Sequence, residues 1–234
     1  MRVLIDQQFH PGHHYQYVAQ LLPAVCGLAD DVVVAVTPAG RASVEFEAFL
    51  KPFSDRVRFE PILPEGNPGF PLHDRLPMHR ALRDAVKRLD PDYVLIPSGD
   101  AQATAMALFR WTGRGALPKS IPCEVGIHFG AGRDASLKVQ LRDVINGWNL
   151  GLSGCRKVHL VNHLFFERLR RIPVVGRTFS AVPHPVARPP AVGTLESRRR
   201  LGLPEHGRYI GLAGSLDSRK ALAEFIAAFR DATS

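Results

Sequence analysis

Short apolar runs recur along the chain at intervals that a helix would fill, and this rhythm limits the fold more than any other feature. Val3-Leu4-Ile5, Val32–Val36, Tyr93–Ile96, Cys123–Ile127, Val158–Val161 and Phe179–Val182 read as strands, with Val57–Leu63 a less regular one closed by Pro64. Between them, apolar residues return at helical spacing. One face carries Tyr15, Val18, Leu21 and Leu22; another carries Leu82, Ala85, Val86 and Leu89; a third carries Ala105, Leu108 and Phe109. A longer helix from about Ala135 keeps Leu137, Leu141, Val144, Ile145, Trp148 and Leu152 on one side. Ala42–Leu50 is weakly helical, Leu164–Leu169 is a short helix, and the Gly- and Pro-rich stretch Glu65–Leu76 reads as an exposed loop. Largely apolar strands alternating with helices predict an α/β, Rossmann-like doubly wound parallel sheet covered on both faces.

That fold turns strand ends into a list of candidate site residues. Right-handed crossovers bring the C-terminal ends of all strands to one edge, where ligands bind. The segments there are Asp6–His14, Ser98–Asp100, His128–Asp134, Asn162–His163 and His184. Gly12 lies between strand and helix, where backbone N–H groups can meet an anion, but no full G-x-G-x-x-G accompanies it. His13 and His14 follow it and read equally well as polar residues at a helix start. His128 ends a central strand, and a neutral imidazole there can orient a hydroxyl or take its proton. Ser98 and Asp100 offer a donor–acceptor set for sugar hydroxyls, although Asp100 also fits as a helix cap. Arg133 sits in a glycine loop and could contact an acceptor.

Composition removes several alternatives. The 234 residues are 45% apolar and 22% charged, ordinary for a globular protein with a buried core. No apolar run is long enough to cross a bilayer, and no leader pattern opens the chain; a cytoplasmic protein is the expectation. Three widely spaced cysteines, Cys26, Cys123 and Cys155, match no metal or disulfide pattern. No metal site is expected: Asp30-Asp31 reads as a turn, and neither a nucleophile elbow nor a metalloprotease motif occurs. The formal net charge of +8 suits a phosphorylated substrate or a peripheral contact at the inner membrane face. The basic residues are scattered without a nucleic-acid-binding fingerprint, so no nucleic-acid partner is expected.

Near the end of the chain, 207–231 reads GRYIGLAGSLDSRKALAEFIAAFRD. Tyr209–Leu212 is strand-like, and Leu222, Phe225, Ile226 and Phe229 line one face of a helix. Asp217 or Ser218 can cap that helix. Gly214 lets the backbone approach a ligand, and Arg219-Lys220 place positive charge at a helix start, where it is disfavoured unless an anion arrives. By spacing alone this is equally an ordinary βα unit with a solvated basic pair.

The run Leu201-Gly202-Leu203-Pro204, then Ile210-Gly211-Leu212-Ala213-Gly214, Arg219-Lys220 and Ala228-Phe229 resembles the opening of the second domain of GT-B glycosyltransferases, in particular glycosyltransferase family 4. Val125-Gly126-Ile127-His128-Phe129 is similar to that family's strand ending in a histidine beside the sugar. The resemblance implies 1–186 as an acceptor-side Rossmann-like domain, 187–206 as an interdomain linker, and 207–234 as the beginning of a nucleotide-sugar-binding domain. It implies donor-phosphate contacts from Gly12, Gly214, Arg219 and Lys220, a catalytic His128, and acceptor contacts from His13, Ser98, Asp100 and Arg133. It further implies retaining sugar transfer from a nucleotide sugar, the co-substrate in place of any cofactor, to a sugar or lipid-linked acceptor. Ser215 stands where the family often has arginine, and Phe129 where it has a polar neighbour. The family's acidic pair has no counterpart, so the remainder of the C-terminal domain is an expected partner. A non-catalytic binding module and a GT-B-like sugar-nucleotide epimerase are the alternatives.

Overall fold

The computed structural model describes residues 1–8, 13–65, 72–99, 102, 105–106, 109, 117–118, 121–128, 136–183, 192–207, 209 and 226–228. The chain divides into two units, Met1–Ala187 and Arg188–Ser234. The first holds seven strands: β1 (Arg2–Asp6), β2 (Asp31–Ala35), β3 (Arg58–Glu60), β4 (Tyr93–Ile96), β5 (Cys123–Ile127), β6 (Lys157–Leu160) and β7 (Phe179–Ala181). All pair in parallel, in the order β3-β2-β1-β4-β5-β6-β7. The chain starts at the centre, builds outward through β2 and β3, then returns to the other side of β1. The expected doubly wound α/β sheet is the architecture observed.

Helices α1 (His14–Leu28), α2 (Pro38–Arg41), α3 (Leu72–Leu89), α4 (Leu137–Gly151) and α5 (His163–Leu169) connect the strands. Alternate strand residues feed two cores. Val3, Ile5, Val32 and Val34 pack with Tyr15, Val18 and Leu22 of α1 and with Phe46 and Leu50. Leu4, Val33, Val94, Val125 and Val158 pack on the other face with Leu82, Ala85 and Val86 of α3 and Leu169 of α5.

Several boundaries differ from the sequence reading. α3 begins at Leu72, inside the stretch expected to be loop, and runs through Pro77. Proline removes one helical donor, but buried Met78 and His79 tie this part of the helix to the body of the domain. β3 stops at Glu60 because Pro61 cannot extend the ladder. The weakly helical Ala42–Leu50 contains a π-helical turn, Phe46–Leu50, whose wider winding turns both Phe46 and Leu50 fully inward. Ahead of it, Thr37 caps α2 by accepting from the Gly40 amide.

The largest departure is α4. Only the C-terminal part of its apolar stripe faces the core: Trp148 and Leu152 pack against it, whereas Leu137, Leu141 and Ile145 are 81%, 60% and 54% exposed. Gly147 and Gly151 form a packed ridge beside them. A methyl on Gly147 would lie 2.2 Å from Leu169, and one on Gly151 would lie 2.3 Å from Val175. Small residues allow the closest approach to α5 and the loop after it, while Leu137, Leu141 and Ile145 turn outward.

Cys123 and Cys155, remote in sequence, belong to one core. All three cysteines are free thiols. A hydrogen bond that the Cys123 thiol donates to Cys155, together with burial, pushes Cys123 above its ordinary range, so it stays protonated.

In the second unit α6 (Thr194–Arg200) lies within the stretch expected to be linker. Gly202, at φ +65°, ends it: Leu203 donates to the Arg198 carbonyl and Gly202 to that of Arg199, a Schellman turn. The Tyr209 hydroxyl reaches the Pro204 carbonyl at 3.0 Å, and the Arg198 guanidinium lies 5.3 Å from the tyrosine ring. Residues 226–228 are helical, and Ile226 is exposed. The rest of the predicted strand–loop–helix, including Gly214, Arg219 and Lys220, lies outside the described residues. Among the described residues no helix is long and apolar enough to cross a membrane.

Candidate functional site

The strand order reverses between β1 and β4, so the connections leaving these two strands part in opposite directions and open a crevice at their C-terminal edge. The residues following β1, β4 and β5 meet there. His14, the first residue of α1, places Nδ1 3.1 Å from Ser98 Oγ, so a side chain after β1 is tied to one after β4. His128, immediately after β5, places Nε2 2.9 Å from the Pro97 carbonyl. A carbonyl only accepts, so Nε2 carries a proton and the neutral ring has its lone pair on Nδ1. The His128 ring stands edge-on to Tyr17 at 5.0 Å and to His14 at 6.4 Å. His13 stacks on His14 at 4.9 Å.

Glycines permit this convergence. Gly99 N–H donates to the Gly126 carbonyl at 2.8 Å, holding the turn after β4 against β5. A methyl on Gly126 would lie 2.3 Å from the Pro97 oxygen, the same atom that accepts from His128. We expect Gly126→Ala to destabilise the unit by about 3 kcal/mol through overpacking. Urea unfolding measures this, and a loss under 1 kcal/mol would show that the β4–β5 turn has room.

At the end of β1 lies a polar cluster not anticipated from the sequence. Asp6 ends β1 with 2% of its surface exposed, and Gln8 and Gln102 are buried beside it. Gln102 Nε2 donates to Asp6 Oδ2, and Gln8 Nε2 reaches the same oxygen at 3.2 Å. Burial raises the Asp6 carboxyl to about 7, against the opposing effect of the Gln102 hydrogen bond. Among the described residues the buried Oε1 atoms of Gln8 and Gln102 have no hydrogen-bond partner. Both glutamines turn their Nε2 toward Asp6, and a rotation of either amide by a half-turn would offer an acceptor to a protonated carboxyl. The available signal was a carboxylate at the end of an apolar strand, but Asp at a strand end reads first as a turn residue.

A second polar line crosses β5, β6 and β7. Ser180 Oγ is 2.7 Å from His159 Nδ1, and His159 Nε2 is 2.8 Å from Glu124 Oε2. The register explains it: Gly126, His159 and Ser180 are cross-strand partners, with Glu124 two residues before Gly126. Burial works to raise the Glu124 carboxyl, but hydrogen bonds from Tyr93 and His159 with the charges of His159 and Arg156 outweigh it and hold it below its ordinary range. The line satisfies polar side chains on a half-covered sheet face, away from the β1–β4 crevice. The sequence alone showed no Ser-His-acid order because its members come from three strands.

Other expected positions are accounted for. Asn162 caps α5 by accepting from the Phe165 amide, and His163 is exposed beside Glu167. Asp31 pairs with Arg2 at 2.5 Å, a structural role. Gly12, Asp100, Arg133 and His184 lie outside the described residues. His13, Ser98 and His128 come together as the strand-end rule requires, and it is His14, not His13, that holds Ser98.

With this geometry in hand, likeness to solved structures becomes informative. The UDP-GlcNAc 2-epimerase of Neisseria meningitidis, crystallised with UDP-GlcNAc, superposes with a TM-score of 0.50 at 15% identity, over 79% of this chain and 47% of its own. Anabaena Alr3699/HepE in complex with UDP superposes with a TM-score of 0.50 at 12% identity, over 86% of this chain and 50% of its own. The seven-stranded unit has a GT-B-type fold. The chain spans about half the length of these proteins. No family model and no curated protein matches the sequence.

Proposed function

We propose that the chain is the acceptor-side half, with the start of the donor half, of a GT-B glycosyltransferase that moves sugar from a nucleotide sugar to an acceptor hydroxyl. The observation that carries this reading is the meeting of His14 and His128 at the β1–β4 crevice, with Ser98 between the strands. Three adjacent strand ends supply imidazoles and a hydroxyl, the groups that orient sugar hydroxyls and move their protons. We assign the His128 imidazole to the reacting sugar. Ser98 and His13, with Asp100 and Arg133, are assigned to a sugar or lipid-linked acceptor. Gly12 and Gly214 would border the donor phosphates, while Lys220 and Arg219 would neutralise the departing nucleoside diphosphate. Retaining stereochemistry and membership of glycosyltransferase family 4 rest on the 201–229 motif and on His128 alone. A cytoplasmic location, with peripheral contact at the inner membrane face, completes the reading.

A second reading, sugar-nucleotide epimerase, draws on the likeness to the Neisseria meningitidis enzyme. Incubating the intact protein with a panel of nucleotide sugars, with and without candidate acceptors, separates the two. Release of free nucleoside diphosphate that depends on an acceptor supports transfer; conversion to an isomeric sugar nucleotide supports epimerisation. Lys220→Ala should weaken the donor at least tenfold, in line with loss of one charge-assisted phosphate contact. Unchanged donor affinity would remove Lys220 from the phosphate site.

A further inference from the structure

The loop between α5 and β7 lies before β7, at the sheet edge opposite the histidine crevice. It bounds an open cavity of about 450 Å³ lined by Arg170, Arg171, Arg177, Ile172, Val174 and the Gly176 backbone. We propose that this cavity is a binding site for a phosphate group.

The loop is built to hold its shape. Val175 is 2% exposed and plugs against Gly151 of α4. Gly176 donates to the Ile172 carbonyl at 2.9 Å and lies so near the Arg170 carbonyl that a methyl would approach it to 2.3 Å. Val174 is held at φ +70° and is 86% exposed. A β-branched residue in the left-handed region is strained, and such strain persists only where the surroundings over-determine it.

Around this fixed turn, charge is one-sided. Arg170 is anchored by Glu167 at 2.7 Å. Arg171 and Arg177 have no carboxylate partner among the described residues, and Lys157 adds a further cation by donating to the Arg177 carbonyl at 2.9 Å. Guanidinium groups on a rigid loop suit the tetrahedral oxygens of a phosphate, which they can bind bidentately. The site is independent of the proposed sugar transfer. It uses no residue of the crevice, and its ligand could be a free phosphate compound or a phosphate borne by a lipid headgroup.

Two probes distinguish these sources: pyrophosphate followed by titration calorimetry, and co-sedimentation with phosphatidylcholine vesicles with or without phosphatidylglycerol. Neither needs a sugar nucleotide, so failure here leaves the transferase reading standing and the reverse. We expect binding to at least one probe, weakening with salt, and a loss of roughly tenfold or more in Arg171→Glu/Arg177→Glu. Arg171→Gln/Arg177→Gln should show a smaller loss in the same direction should the reversal unfold the chain. Lys51→Glu/Arg56→Glu makes the same change in net charge on the β2–β3 connection and should bind as wild type. Loss with pyrophosphate assigns a free phosphate ligand, and loss with anionic vesicles alone assigns a lipid headgroup. The proposal is overturned by a wild type that binds neither probe, by Arg171/Arg177 variants that bind normally, or by a control that loses as much.

Discussion

Replacing Asp6 with asparagine should stabilise the Met1–Ala187 unit at pH 8 by roughly 2–4 kcal/mol and leave it nearly unchanged near pH 4. The native carboxyl is raised to about 7 by burial, against an ordinary value of 3.8. Between those values the native state binds a proton that the unfolded chain has released, so wild-type stability falls as pH rises through the window. Above about pH 7 the full cost of a buried carboxylate is present. Asparagine has nearly the same shape and never ionises, so its curve lacks this decline. Its carbonyl can accept from Gln102 as Asp6 does. Urea unfolding of both proteins from pH 4 to pH 8 measures the difference. Parallel stability curves would mean that Asp6 ionises normally in the folded chain, and the polar cluster at the end of β1 would have to be redrawn.

The sheet was legible because burial on both faces of a parallel strand leaves little freedom in composition. Val32–Val36 and Tyr93–Ile96 could hardly be anything else, and the rule for strand ends then delivered His13, Ser98 and His128 to one edge. What stayed hidden depends on contacts between distant residues. A helical apolar stripe says that a helix is amphipathic, not which neighbour it meets; in α4 the glycine ridge at Gly147 and Gly151 took the packed side. The Glu124–His159–Ser180 line exists only through sheet register. The hydrogen bond of Cys123 to Cys155 needs the fold as well. Asp6 was invisible as a protonated acid because its raised pKa comes from burial, and Gln102, its partner, is 96 residues away. His14 looked no different from His13 until the position of Ser98 distinguished them.

The central claim is that imidazole groups at the β1–β4 crevice take part in reaction at a sugar. His128 tests it best, because its two possible roles can be separated. His128→Ala removes both the hydrogen bond to the Pro97 carbonyl and the Nδ1 lone pair. His128→Gln keeps an N–H donor that can reach that carbonyl but carries no titratable nitrogen. If the ring only braces the β4–β5 turn, glutamine should restore what alanine loses. If the ring handles a proton or a sugar hydroxyl, both variants should fail alike while remaining folded, since general acid–base groups contribute roughly 100-fold or more. The deciding measurement is turnover of the intact protein and these two variants with its best nucleotide-sugar substrate, followed by product formation. We predict a fall of roughly 100-fold in both variants with little change in thermal stability for glutamine. Turnover unchanged in His128→Ala, or fully restored in His128→Gln, would contradict the claim.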